Sequence, residues 1–411
     1  MTEEQERALQ LATEAGHILL ENGAEIGRVE ETMEHMAKSY GVEDESFFVL
    51  SNGIIATGQH YARAEFIPIK GTQLARVVAV NQLSRDIDGG AMPLDEVERR
   101  LKAIRTMGAK PWWELVLGVA LGVGAFSILF GGSLVDAAAT FSCGLLLGAF
   151  MAFVSPHLSR IFGSLVGGLV GGLLCILAVA VGFGEHLPNM IIGTIIALVP
   201  GVPFTNGMRD LANEDYLAGA TRLLDAFLVF LCIALGVVVA FVVEETLTGD
   251  LMVLDAPVTD ALTSAWYVQL ASAFVGTVGF AALFGAPRRY YAGSGLVGMA
   301  GWAVYLLCSV WTSAFSVVGA AFAAALVITV LSHLLAVLMC APVTVFLICG
   351  IIPLVPGGGI FWTAYYLVSN QLRLAAATGF TALKVTIAIA GGIILAAAVY
   401  VKIMRKKRIN A

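Results

Sequence analysis

The sequence predicts a mainly α-helical polytopic membrane protein, with about ten transmembrane helices as a 5+5 inverted repeat behind a small α+β cytoplasmic domain. Three observations predict it. Of 411 residues, 58% are hydrophobic and only 13% are charged, a balance typical of membrane chains. The charge is uneven: residues 1–110 hold 12 Lys/Arg and 18 Asp/Glu, the remainder holds 12 of each, and no acid follows Asp260. Finally, the string Leu-Val-Pro-Gly interrupts two apolar stretches, at 198–201 and 354–357, 156 positions apart. The expected division is a cytoplasmic domain (1–110), a first five-helix repeat (111–245), an acidic external loop (246–263) and a second five-helix repeat with a basic tail (264–411).

In the N-terminal domain, residues 5–40 read as helical with a break near "ENGAEIG", and Gly41 suits a helix stop. "SFFVLSNGIIATGQ" (46–59) is a hairpin signal, two β-rich runs about Ser51-Asn52-Gly53, and 64–70 reads as a third strand. Residues 72–90 are amphipathic and end at paired glycines. The stretch 93–107 opens with proline and acids and closes basic, in line with a helix dipole. His17, His35, His60, Ser51 and Asp86 are polar candidates, but no Gly-x-Ser-x-Gly, His-Glu-x-x-His or Walker sequence frames them. The acidic start lacks an apolar stretch and does not read as a secretory signal. The net charge of −6 arises from this domain and gives no reason to expect nucleic acid as a partner.

Beyond it, spans of the length a bilayer needs fall at about 114–130, 134–154, 161–182, 189–206, 221–243, 264–285, 293–310, 314–335, 342–367 and 380–403. With the N-terminus inside, Arg160, Arg209, Arg222, Arg288, Arg289 and the basic tail are cytoplasmic, and the outer loop 244–263 has five acids and no Lys or Arg. Both termini are then cytoplasmic. Ten spans divide as five plus five; because five is odd, the second copy enters from the opposite face, as in many secondary transporters. The six cysteines lie scattered in apolar stretches without Cys-x-x-Cys, as small hydrophobes at helix contacts do. No metal site or cofactor is expected.

A helix broken at membrane depth frees backbone groups that only protein or a water-filled cavity can satisfy. The breaks at Pro200-Gly201 and Pro356-Gly357-Gly358 are therefore the expected substrate site, with an exposed helix N-terminus as a cradle for a carboxylate. Thr205 and Asn206 add hydroxyl and amide partners. Trp362 and Tyr365, with Tyr366, read equally as substrate contacts or interfacial anchors. Lys384 either pairs with a carboxylate or snorkels to the surface. The carboxylates within reach of a proton path are Asp225, Asp210 and Asp136. Asp225 and Asp210 stand beside Arg222 and Arg209, so local pairing is the rival reading. Arg209, Arg222, Asn81 and Asp86 are expected at the cytoplasmic mouth. An intramembrane enzyme is disfavoured: His157, His186 and His333 are scattered near span ends without a nucleophile–base set.

Taken in order, "GAEIGRVEETM" (23–33), "FVLSNGIIAT" (48–57), "VNQLSRDIDGG" (80–90), "LVPGVPFTNGMRDL" (198–211), "DYLAGATRLLDA" (215–226), "GMAGWAVY" (298–305) and "IIPLVPGGGIFW" (351–362) resemble the threonine/serine exporter family in its fused form, over almost the whole chain. The resemblance implies a bacterial inner-membrane exporter of small hydrophilic metabolites, threonine or serine foremost, driven by the proton gradient. Its partners are then the substrate, protons and the lipid bilayer, with room for a homo-oligomer. Two-subunit relatives export dicarboxylates such as succinate, so family alone leaves the substrate open. A passive channel and a metabolite sensor are the remaining alternatives.

Overall fold

Thr2 starts the first helix by capping it: its hydroxyl accepts from Gln5 N–H while the Gln5 side chain accepts from Thr2 N–H. That helix, α1 (Glu3–Glu21), and α2 (Ile26–Ser39) are joined by a short turn in which Gly23 adopts φ +83°, a left-handed conformation that a side chain would strain. The expected break near "ENGAEIG" is this turn. The hairpin β1 (Ser46–Leu50) and β2 (Gly53–Gly58) closes with Leu50 opposite Gly53, as the Ser-Asn-Gly signal predicts. The third strand, β3 (Tyr61–Phe66), lies earlier than the expected 64–70. Pro68 has no N–H to donate to a ladder, so pairing stops before it. Helices α3 (Leu74–Asp86) and α4 (Leu94–Arg105) follow. Leu9, Ile18, Met33, Val49, Ile54, Val77 and Leu101 close one apolar core between these helices and the sheet.

In this computed structural model the described residues are 2–43, 45–58, 61–68, 71–87, 92–108, 110–249, 260–311 and 315–409, the side chains of 401 and 403–409 excepted. His60, the paired glycines 89–90 and much of the acidic loop fall outside them.

The apolar region forms α5 (Trp112–Leu129), α6 (Leu134–Phe153), α7 (Arg160–Ala180), α8 (Leu187–Ile195), α9 (Gly201–Ala212) and α10 (Tyr216–Thr248). Then come α11 (Trp266–Leu283), α12 (Tyr291–Leu306), α13 (Val317–Leu338), α14 (Val343–Ile351), α15 (Gly357–Val368) and α16 (Leu372–Ile409). Among the described residues eight helices are long and apolar enough to cross a bilayer, or up to ten spans if each bent pair α8–α9 and α14–α15 counts as one. Spans five and ten run well past their expected limits of 221–243 and 380–403, because α10 and α16 continue as helix into polar flanks where hydropathy alone stops. The first bent pair likewise continues to Ala212 rather than 206, carrying Arg209 and Asp210 on helix.

Among the described residues the N-terminal domain is fastened to the membrane part at several places, one of them the β1–β2 turn, where Thr221 Oγ1 of α10 donates to Ser51 Oγ at 3.0 Å. The start of α3 donates Leu74 N–H to Phe284 O and Ala75 N–H to Gly285 O, at the end of α11. The α1–α2 turn meets α9 and α10.

Candidate functional site

Both breaks are built by Val-Pro-Gly. Proline cannot donate to the helical ladder, and it forces the residue before it out of helical geometry. Val199 (φ −57°, ψ 129°) and Val355 (φ −62°, ψ 129°) are accordingly extended. Pro200 (φ −76°, ψ 59°) and Pro356 (φ −76°, ψ 57°) then form inverse γ-turns, with Gly201 N–H on Val199 O and Gly357 N–H on Val355 O, each at 2.7 Å. The helices bend by 62° at the first break and 44° at the second.

The two breaks meet, and reciprocally. Gly201 faces the side chain of Ile352, and Gly357 faces that of Ile196. Those four residues are two pairs at the same 156-position spacing, so each break packs the same way on the other.

Beyond this shared centre their surroundings differ. The second break borders a cavity of about 710 Å³. Pro356, Gly358 and Trp362 line it, with Gln269, Trp302 and Thr378 opposite. Gln269 is itself fixed, donating to Ile128 O and Thr263 O and accepting from Trp302 Nε1 at 2.9 Å. The cavity extends to Gly131, Ser264, Val310 and Val317, which stand at the helix ends remote from the N-terminal domain. The N–H groups of the first turn of α15 have no partner within their own helix. Tyr365 lies instead against Phe241 of α10, ring centroids 5.6 Å apart. Lys384 is exposed on α16, on the stripe of Phe380 and Ile387, both exposed apolar residues.

The first break is covered by the N-terminal domain. Asn206 Nδ2 donates to Gly23 O at 2.6 Å, and Ile26 N–H donates to Asp210 Oδ1 at 3.0 Å. Arg222 bridges the two parts, giving Nη1 to Asp210 Oδ2 at 2.6 Å and Nη2 to Ala24 O at 2.9 Å. Arg209 is ion-paired with Glu25. All of these groups are buried. Asp215, at the start of α10, sits close enough to feel Arg222, yet partial burial pushes its carboxyl above the ordinary range. Thr205 Oγ1 and Asn206 Oδ1 are buried with no hydrogen-bond partner among the described residues.

The other candidates lie apart from both breaks. Asp225 pairs with Arg160 at 2.5 Å, half-exposed. Asp136 is fully buried and clasps two loops: it closes a capping box with Ser133, accepts Glu185 N–H and His186 N–H, and meets His186 Nδ1 at 2.7 Å. Asp136, Glu185 and His186 bring their ligand atoms within 4.8 Å of one another, but both Asp136 oxygens are already engaged. Asp86 is held by Arg100 on the surface of the N-terminal domain, and Asn81 is buried in α3.

Sequence reasoning missed Glu25, Gln269, Trp302 and Thr378. Glu25 sits among many surface acids, and nothing local marks its partner 184 positions away. Gln269 had a signal, a lone amide in an apolar span. Glu114 was also passed over; it is buried at the base of α5, where Lys110, Arg288 and Tyr291 converge on it.

Comparison with known proteins agrees with this architecture. A family model described as "Putative threonine/serine exporter" matches residues 10–243, and one described as "Threonine/Serine exporter, ThrE" matches residues 269–399. A "Threonine/serine exporter" of Corynebacterium glutamicum is 25% identical over 82% of this chain and 70% of its own length. A "Probable threonine/serine exporter" of Mycobacterium tuberculosis is 23% identical over 90% of this chain and 74% of its own. A "Probable succinate transporter subunit YjjP" of Escherichia coli is 24% identical over 59% of this chain and 96% of its own. No solved structure matches the chain. With a family model spanning more than half its length, a second covering most of the rest, and the paired breaks in place, this chain belongs to the threonine/serine exporter family of membrane transporters.

Proposed function

We propose that this protein is a bacterial inner-membrane secondary transporter that exports threonine and serine by proton antiport, with both termini in the cytoplasm. Transport is by alternating access between two five-helix repeats of inverted topology. The reading rests chiefly on one observation: the second break borders a cavity reaching the end remote from the N-terminal domain, while the first break is covered from the domain's side. A site reached from one side and closed on the other is what alternating access requires. The reciprocal packing of Gly201 on Ile352 and Gly357 on Ile196 supports inverted symmetry, since a two-fold relation makes equivalent residues exchange partners.

The cavity favours a small ligand with one carboxylate. Among the described residues its lining includes Ser264, Gln269, Thr378 and Thr381 but no Lys, Arg or His, which leaves the N-terminus of α15 as an electropositive feature it offers. Pro200, Gly201, Thr205 and Asn206 belong to the other face of the same pathway. Asp210 is the carboxylate we assign to proton coupling, since it alone of the three candidates lies at a break. Export of a dicarboxylate is the second reading, favoured by the relatives named as succinate transporter subunits.

Proteoliposomes loaded with labelled threonine, serine or succinate provide the test. The expected result is saturable efflux of threonine and serine that a proton gradient accelerates. Flux indifferent to the gradient rejects coupling, non-saturating flux supports a channel, and succinate in preference to threonine establishes the second reading.

A further inference from the structure

The α1–α2 turn does more than cover the first break; it presents the break with the chemical groups of an amino acid. Its Glu25 carboxylate lies on Arg209. On the next residue, Ile26 N–H lies on Asp210 Oδ1, and the Gly23 and Ala24 carbonyls take Asn206 Nδ2 and Arg222 Nη2. An anion on a guanidinium beside a donor on a carboxylate is the pairing a zwitterion makes with its host.

We propose that Asn206, Arg209, Asp210 and Arg222 form a cytoplasm-side site for a zwitterionic hydroxy-amino acid, and that the α1–α2 turn occupies this site in cis as a mimic that substrate displaces. The inference rests on the exporter reading above and adds to it the loading site and the residues that recognise substrate. Arg209 takes the α-carboxylate in place of Glu25. Asp210 takes the α-ammonium in place of Ile26 N–H, and a charged donor makes the stronger bond there.

Two further observations point to the ligand class. Thr205 Oγ1 and Asn206 Oδ1 are buried acceptors that the turn leaves without a partner among the described residues. A side-chain hydroxyl, which threonine and serine carry, supplies the missing donor. Charge balance agrees: with the turn withdrawn, the membrane part keeps Arg209 and Arg222 against Asp210 and Asp215, so a ligand of no net charge is matched. A dicarboxylate would set its second anion against Asp210. Sharing Asp210 between the ammonium and a proton also gives antiport directly, since the two cannot occupy it together.

The test uses the full chain in lipid nanodiscs, with L-threonine as the probe. Removing the mimic's anion with Glu25→Ala should tighten threonine binding about tenfold, because a site mostly occupied in cis shows an affinity reduced by its free fraction. In the unmutated protein, saturating threonine or serine should speed hydrogen exchange of residues 22–26, and succinate should not. This arm needs no variant that could misfold. Unchanged or slower exchange at 22–26 with threonine bound overturns the mimicry, as does Glu25→Ala binding threonine no more tightly. Saturable threonine flux alongside either result leaves the exporter reading standing, whereas a protein that moves no amino acid at all brings down both.

Discussion

Replacing Arg222 with methionine tests how the N-terminal domain is held. Arg222 and Asp210 are both buried, and Arg222 also donates to Ala24 O. Methionine keeps the apolar stem but strands the Asp210 carboxylate with Ile26 N–H as its remaining neighbour from the turn. Breaking a buried ion pair from one side costs about 3–5 kcal/mol. Much of that cost falls on the docked state, because undocking lets water reach Asp210. At about 1.4 kcal/mol per factor of ten, even a 3 kcal/mol loss raises the undocked fraction roughly a hundredfold. Hydrogen exchange of the Ile26 amide reads this directly, since its acceptor is Asp210. Exchange in the peptide holding Ile26 should quicken by about two orders of magnitude. The double variant Asp210→Asn with Arg222→Met removes both charges and should recover most of the loss. If the single variant leaves Ile26 protected, the ion pair does not hold the domain and the reasoning fails.

Three other outcomes follow from the same geometry. Asp225→Asn should cost no more than about 1 kcal/mol and keep gradient-driven efflux, because its pair with Arg160 is half-exposed; loss of uphill transport would restore it to the proton path. Trp302→Phe should impair efflux and lower the melting temperature by an amount corresponding to about 1–3 kcal/mol, since it leaves Gln269 Oε1 without its buried donor; unaltered melting would show that water replaces the indole. Glu98, held down to about 2 by Lys102 and Arg7, stabilises the N-terminal domain above its ordinary pKa near 4.5, and that contribution is lost as pH falls toward 2; Glu98→Gln should therefore flatten this part of the acid-unfolding curve followed by near-UV circular dichroism.

What the sequence could and could not disclose has a physical pattern. Val-Pro-Gly dictates its own backbone, so the two breaks and their shared turn were legible from a few letters. The hairpin was legible for the same reason, through Ser51-Asn52-Gly53. The partners of the ionisable residues were not. Asp210 stands next to Arg209 in sequence but pairs with Arg222, and Arg209 turns to Glu25 in another domain. Neighbours on a helix point about a hundred degrees apart, so adjacency is a poor guide to pairing. Lys384 is a similar case. Its position within a span was plain, but the face it occupies depends on where α16 packs, and the exposed side of that helix is set by contacts elsewhere in the chain.

The two breaks share a backbone yet differ in chemistry, and the N-terminal domain accounts for the difference. A proline-broken helix needs its freed polar groups satisfied wherever it lies. At the second break Gly358 and Gly359 leave backbone facing a cavity, and threonines and aromatics complete the wall. At the first, Asn206, Arg209 and Asp210 meet a protein surface that offers carbonyls, an N–H and a carboxylate. Buried ionised side chains would be costly at the second break, where no such surface stands opposite. The domain therefore lets the first break carry buried charge that the second break does not. Grafting Arg209 and Asp210 onto their counterparts Tyr365 and Tyr366 should accordingly destabilise the protein by several kcal/mol, since the arginine would enter an aromatic cluster with Phe241, Phe361 and Trp362 and find no Glu25. A grafted protein that melts like the parent would mean that water, not the domain, supports the charges of the first break.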